Sequence, residues 1–245
     1  MSSSTERQTG QHTARSRTTG SVLSGLAVAA GCALFLGGFV WGALVYRPYT
    51  VPTDSMSPTI SAGARVLAER VDGSAIRRGD VVVFKDKVWG DLPMVKRVVG
   101  VGGDKVACCT KDGRLTVNGT PIEEPYLQGD GPASPTGFKA TVPTGQLFLL
   151  GDHRNDSLDS RVHLTDGDDG SVPRSAVQAR VDASAWPLGS IGMMHRPAAF
   201  TELPGGTSQP GPVQPLTFAV LAGAVLILVG AAHGPITRRK RRKSA

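Results

Sequence analysis

The sequence predicts a mainly β protein, an antiparallel β-rich outer domain held between one amino-terminal and one carboxy-terminal membrane-spanning helix. Three observations predict it. Two long apolar runs without a charged residue, residues 22 to 46 and residues 216 to 232, flank the middle of the chain. Between them, short Val- and Leu-rich runs are separated by turn signals. No stretch of that middle part sustains helical periodicity.

In chain order, residues 1 to 21 are rich in Ser, Thr and Arg and read as a disordered cytoplasmic arm. Residues 22 to 46, "VLSGLAVAAGCALFLGGFVWGALVY", rise as a helix by about 1.5 Å per residue and so exceed the roughly 30 Å hydrocarbon core. The apolar region of a cleaved signal peptide is only about 7 to 15 residues long, so an uncleaved anchor is expected. Residues 47 to 200 form the β domain, with strands expected in "RVLAE", "DVVVF", "MVKRVVGVG", "KVAC", "RLTVNG" and "QLFLLG". Sandwich and barrel closure both remain open. Residues 126 to 143, rich in Gly and Pro, read as a long loop. Residues 201 to 215 form a Pro/Gly linker, and residues 216 to 233 a second span. That span is at the short end for crossing a bilayer. It is preferred over a buried core helix because the linker isolates it and "RRKRRK" follows. Residues 234 to 245 are a basic cytoplasmic tail.

The formal net charge of +7 and the pI near 9.7 invite a nucleic-acid partner, and the distribution of charge removes it. Nine of the 27 Lys and Arg lie before the first span or after the second, at Arg7, Arg15, Arg17 and residues 238 to 243, against the single acid Glu6. The remaining 18 basic residues face 19 acidic ones, so the middle is close to neutral. Basic flanks at both ends match the positive-inside rule, which puts both termini in the cytoplasm and the β domain outside a multi-pass cell membrane.

Cys32 lies inside the first span, as a small packing residue. Cys108 and Cys109 are adjacent and have no second Cys or His pair at ligand spacing, which excludes a zinc site there. A disulfide between neighbours and two reduced thiols both stay open.

The stretch "VPTDSMSPTI", residues 51 to 60, begins a few residues beyond the first span. Pro52 and Pro58 stiffen the backbone around Ser55, a candidate nucleophile with no base inside its own segment. His153, His163 and His195 are candidate bases from the outer domain. Lysine is the other: its amine, with a pKa near 10.4 in water, works near neutrality once burial strips its hydration. "PMVKRVVGV" encloses Lys96 among Met94, Val95, Val98 and Val99. Strand alternation puts Lys96 on one face with Met94 and Val98, and Arg97 on the other, solvated or paired.

Four segments in order, "PTDSMSPTI", "RRGDVVVF", "VKRVVGVGGD" and "GDHRNDSLDSR", resemble the boxes of bacterial type I signal peptidases, serine proteases of the S26 family. The closing "WPLGSIG" extends the resemblance to roughly residues 48 to 192, and a second, carboxy-terminal span is similar to an actinobacterial variant. The resemblance implies that Ser55 is the nucleophile and Lys96 its general base. Thr53 and the Ser55 N–H then form the oxyanion hole, each donor contributing about 3 kcal/mol. Ser157 orients the lysine amine, and Asp159 and Arg161 brace the site. The chain departs from the pattern at His153, where Asn is common, at Asn155-Asp156, where Asp-Asn is usual, and at Ser190, where a basic residue is frequent.

The implied activity is removal of signal peptides from secreted pre-proteins after small-x-small sites, next to the outer membrane surface that Ser55 follows by about nine residues. The lipid bilayer and the pre-protein are the implied partners, and no nucleic acid, metal or organic cofactor is. The alternative is an inactive, membrane-tethered binding module with the same fold. A self-cleaving regulator would need a nucleic-acid-binding domain where this chain has apolar runs. A Ser-His-Asp hydrolase would draw on His153 or His163.

Overall fold

The computed structural model describes the backbone of residues 19 to 242 and the side chains of residues 22 to 232. The expected cytoplasmic arm up to residue 18 and the side chains of the basic tail lie outside the described residues. The chain divides into two compact units: a helical one, ending at Val40 and resuming at Pro215, and a β unit from Trp41 to Gln214.

Helix α1 runs Thr19–Val45 and α2 runs Val213–Arg242. Each is long and apolar enough to cross a membrane, at residues Val22–Val45 and Val213–Ala232. Within the helical unit they pair antiparallel through glycines. A Cβ on Gly31 would lie 2.8 Å from the Gly223 carbonyl oxygen, and one on Gly223 would lie 2.5 Å from the Phe35 nitrogen. Only glycine permits backbones this close, and close backbone approach is what holds helices together where lipid removes the hydrophobic drive. The Ser24 hydroxyl donates to the Gly230 carbonyl at 2.5 Å, satisfying a polar group in the same seam.

The β unit holds β1 (Tyr46–Thr50), β2 (Arg65–Glu69), β3 (Val81–Lys85), β4 (Pro93–Val101), β5 (Lys105–Cys108), β6 (Leu115–Val117), β7 (Thr120–Pro121), β8 (Phe138–Thr141), β9 (Gln146–Leu150), β10 (Val172–Pro173), β11 (Val177–Trp186) and β12 (Gly192–Met193). One antiparallel sheet has the order β1-β2-β11-β3-β4-β9-β10, with β12 also on β11. A second has the order β7-β6-β5-β8. β4 and β9 join the two: Val98, Leu147 and Leu149 fill one apolar cluster, while Val99, Phe148 and Leu150 fill the cluster beneath the small sheet. A third cluster, around Val51, Met56, Ile60, Val66 and Val83, anchors the segment that carries Ser55.

Every run expected to be a strand is one. Six of the twelve strands, β1, β7, β8, β10, β11 and β12, fall outside those runs, and two of these departures have a clear cause. β8 lies inside the stretch read as a loop, because only Phe138 and Ala140 turn inward there and Gly and Pro crowd around them. β11, the longest strand, escaped notice because two of its buried positions are charged. Arg180 and Asp182 are buried only because they pair with each other and with Glu69, Arg196 and the Tyr46 hydroxyl. Cys108 and Cys109 form a disulfide.

The Pro/Gly stretch after residue 200 is held against the β unit rather than free of it. Phe200 and Leu203 are buried in the cluster under the small sheet, and Arg78 Nη1 donates to the Pro204 carbonyl at 2.7 Å. Arg196 and Ser208 both hydrogen-bond Asp80. Phe200→Ala removes a fully buried ring and should cost about 3–5 kcal/mol, read as an earlier urea midpoint of the full chain by tryptophan fluorescence. An unchanged midpoint would show that the strap contributes nothing to the core.

Candidate active site

Ser55 sits on a turn pinned from below. Met56 and Ile60 are buried in the third apolar cluster, and the turn closes with Ser57 N–H donating to the Asp54 carbonyl at 2.7 Å and Ile60 N–H to the Met56 carbonyl at 2.9 Å. The Thr59 hydroxyl donates to Asp152 at 2.6 Å, and the His153 N–H donates to the Ser55 carbonyl at 3.1 Å. Sequence neighbours and the distant 151–161 segment thus converge on one backbone turn.

Lys96 reaches this turn from β4. Its Nζ lies 2.6 Å from Ser55 Oγ, and the two residues are 5 % and 8 % exposed. Burial pulls the Lys96 ammonium down to about 8, against the opposing pull of the Asp159 and Asp152 charges. A neutral amine reverses the hydrogen bond and accepts the hydroxyl proton, which is what a general base does. The adjacent Arg97 is 1 % exposed and doubly hydrogen-bonded to Asp152, at 2.8 and 2.6 Å, with its guanidinium 4.1 Å above the Tyr126 ring. Of the two options left for Arg97, pairing is what occurs.

The remaining expected site residues are gathered here too. The Thr53 hydroxyl is 3.3 Å from Ser55 Oγ. Asp159 is fully buried and accepts from the Gly151 N–H at 3.0 Å and from Arg161 at 2.8 Å. Arg161 continues to the Arg154 carbonyl and the Ser134 hydroxyl. Ser157 stands apart: its buried Oγ has no hydrogen-bond partner among the described residues, and the hydrogen bond made by Lys96 goes to Ser55. Neither rival histidine bonds Ser55 Oγ. His153 faces Asp54 at 3.5 Å, and His163 bonds Asp166 and stacks on Trp89.

Two residues went unassigned in the sequence. Asp152 needed the tertiary structure to show its arginine. Gly151 carries a recognisable signal, glycine at the start of a box, but its reason is spatial: a Cβ there would meet the Ser157 hydroxyl and come 2.5 Å from the Ser55 carbonyl oxygen. The pair lies in a groove of about 410 Å³ lined by residues 49 to 55 on one side and 93 to 96 on the other, with Val83, Asp156 and Leu158. Among the described residues, Pro93 to Lys96 pair only with β3, because β9 joins β4 from Arg97 onward. One edge of the strand beside Lys96 is therefore open to the groove.

A buried lysine bonded to a serine at the foot of an open strand edge is a serine-peptidase arrangement. The family model described as signal peptidase, peptidase S26, matches residues 22 to 186, and the chain belongs to that family. It is 31% identical to the probable signal peptidase I of Mycobacterium leprae (strain TN), over 61% of this chain and 71% of that one. It is 35% identical to the signal peptidase I of Bacillus caldolyticus, over 59% of this chain and 81% of that one. A crystal structure of a signal peptidase I from Enterococcus faecalis V583 is 26% identical, covering 42% of this chain and 94% of that one at a TM-score of 0.35, too low to bear on the fold. The protein is a hydrolase of the membrane.

If Lys96 is the base, the rate should rise about tenfold per pH unit below pH 8 and level off above it, because only the neutral amine accepts a proton. Initial rates on a pre-protein from pH 6 to 10 read the inflection. Asp152→Ala, which leaves Arg97 buried without its partner, should destabilise the β unit by about 3–5 kcal/mol in urea unfolding of the full chain.

Proposed function

We propose that this chain cuts signal peptides from exported pre-proteins at the outer face of the membrane, with Ser55 as nucleophile and Lys96 as general base. The 2.6 Å contact between Lys96 Nζ and Ser55 Oγ, buried beside an open strand edge, carries the reading. The substrate pairs as an added strand with the backbone from Pro93 to Lys96, between that edge and residues 49 to 53. Neutral Lys96 takes the Ser55 proton as Oγ attacks the scissile carbonyl. The Thr53 hydroxyl and the Ser55 N–H hold the oxyanion. The Lys96 ammonium then protonates the leaving amine, and water deprotonated by Lys96 hydrolyses the acyl-enzyme. Asp159 with Arg161 holds the Gly151 backbone against the serine turn, and Ser157, whose Oγ bonds no described residue, is given no part in the reaction.

The membrane setting supports the substrate class. Basic residues flanking both apolar runs support termini in the cytoplasm and a β unit outside, where a translocated pre-protein still anchored by its signal sequence presents its cleavage region. On this reading the groove admits small residues, such as Ala, at the first and third positions before the cut.

Purified full-length chain in detergent is expected to cleave a pre-protein after a small-x-small site, read by sequencing the new amino terminus. Ser55→Ala, Lys96→Ala and Lys96→Arg should each abolish cleavage, the last because arginine stays protonated. Thr53→Val should lower kcat by about 10²–10³. Normal turnover by Lys96→Ala would reject the dyad.

A further inference from the structure

One cluster beside the groove has no part in the chemistry above. Asp54, His153 and Asp156 place one donor atom each so that all three lie within 4.8 Å of one another. Two of these residues fall where the chain departs from the signal-peptidase pattern, at His153 and Asp156. His153 Nδ1 is shielded from solvent, has no hydrogen-bond partner among the described residues, and faces Asp54 Oδ2 at 3.5 Å.

That separation is wide enough for the two atoms to share an ion. Zn–N and Zn–O bonds of about 2.0–2.2 Å at the tetrahedral angle put neighbouring donors about 3.4 Å apart. Asp54 and Asp156 are exposed, so their carboxylates are not locked by burial. The histidine is held by its backbone, whose N–H donates to the Ser55 carbonyl and whose carbonyl accepts from the Asp156 N–H at 2.9 Å. One imidazole nitrogen and two carboxylates suit zinc better than calcium or magnesium, which take oxygen ligands in larger number.

We propose that Asp54, His153 and Asp156 form a zinc-class divalent-cation site on the wall of the groove, and that an ion held there inhibits cleavage. Asp54 and Asp156 both line the groove, and Asp54 directly precedes the nucleophile. An ion held by these two groove-lining carboxylates, with His153 behind them, narrows the strip of groove that a substrate strand must cross. The fourth coordination position stays open to water. The binding part stands by itself; the inhibition rests on the peptidase reading.

The test uses full-length chain purified by a tag without histidines. Zinc alone is titrated against a competing indicator, and cleavage is measured across buffered zinc concentrations, each variant scaled to its own zinc-free rate. Wild type is expected to hold one zinc equivalent that His153→Asn and Asp156→Asn bind about tenfold or more weakly, since losing even an indirect supporter of a ligand costs 10–100-fold. The half-inhibitory zinc concentration should rise by the same factor in both variants. Ser55→Ala should bind zinc as wild type does. Equal zinc affinity in wild type and both variants would overturn the site. Loss of binding in the variants without any change in inhibition would overturn its inhibitory role. A wild type that cleaves nothing would remove the peptidase reading and with it the inhibition, while the titration still decides the site.

Discussion

Two consecutive residues of β4 are buried cations, and they meet opposite fates. Arg97 is met by Asp152 in a doubly bonded pair and keeps its charge. Lys96 has no carboxylate within ion-pair distance among the described residues, so desolvation outweighs the pull of the more distant Asp159 and Asp152 and its ammonium falls to about 8. Burial of the arginine adds little net stability, because desolvation consumes much of the attraction. Its effect is geometric. Asp152 also accepts from Thr59, so one carboxylate ties β4, the 151–161 segment and the serine turn together. The lysine and the serine meet because their neighbours are clamped.

The clamp continues outward. Tyr126 lies under the Arg97 guanidinium and donates to Glu124, which pairs with Arg154. Arg154 donates to the Gly151 carbonyl, and the Arg154 carbonyl accepts from Arg161, the partner of Asp159. Asp159 returns to the Gly151 N–H. The start of what read as a Gly- and Pro-rich loop is thereby fastened to the site at Tyr126 through polar contacts, while Phe138 and Ala140 hold its far end by apolar packing. A chain of satisfied polar groups of this kind fixes positions closely, since leaving any one member buried and unpaired is expensive.

The same economy of close fit recurs elsewhere. Glycines allow α1 and α2 to approach within their own unit, and Gly151 allows the Ser55 turn to lie against the 151–161 segment. The strap after residue 200 packs Phe200 under the small sheet and covers Asp80 with Arg196 and Ser208. Residues that look like spacers in sequence are fitted parts of the β unit.

The amino-acid sequence by itself determined the two apolar helices, six of the strands, and the likeness that singled out Ser55 and Lys96, because periodicity, uncharged length and motif order are local properties of a chain. It left β11 unseen, since inward-facing Arg180 and Asp182 break the apolar alternation that marks a strand. Only the tertiary structure decided that Arg97 pairs rather than meeting solvent, that Cys108 and Cys109 bond to each other, and that Asp54, His153 and Asp156 face one another. Each of these depends on which segments meet in space. A charged side chain carries no mark in sequence of whether a partner will reach it, and that partner decides its protonation and its role.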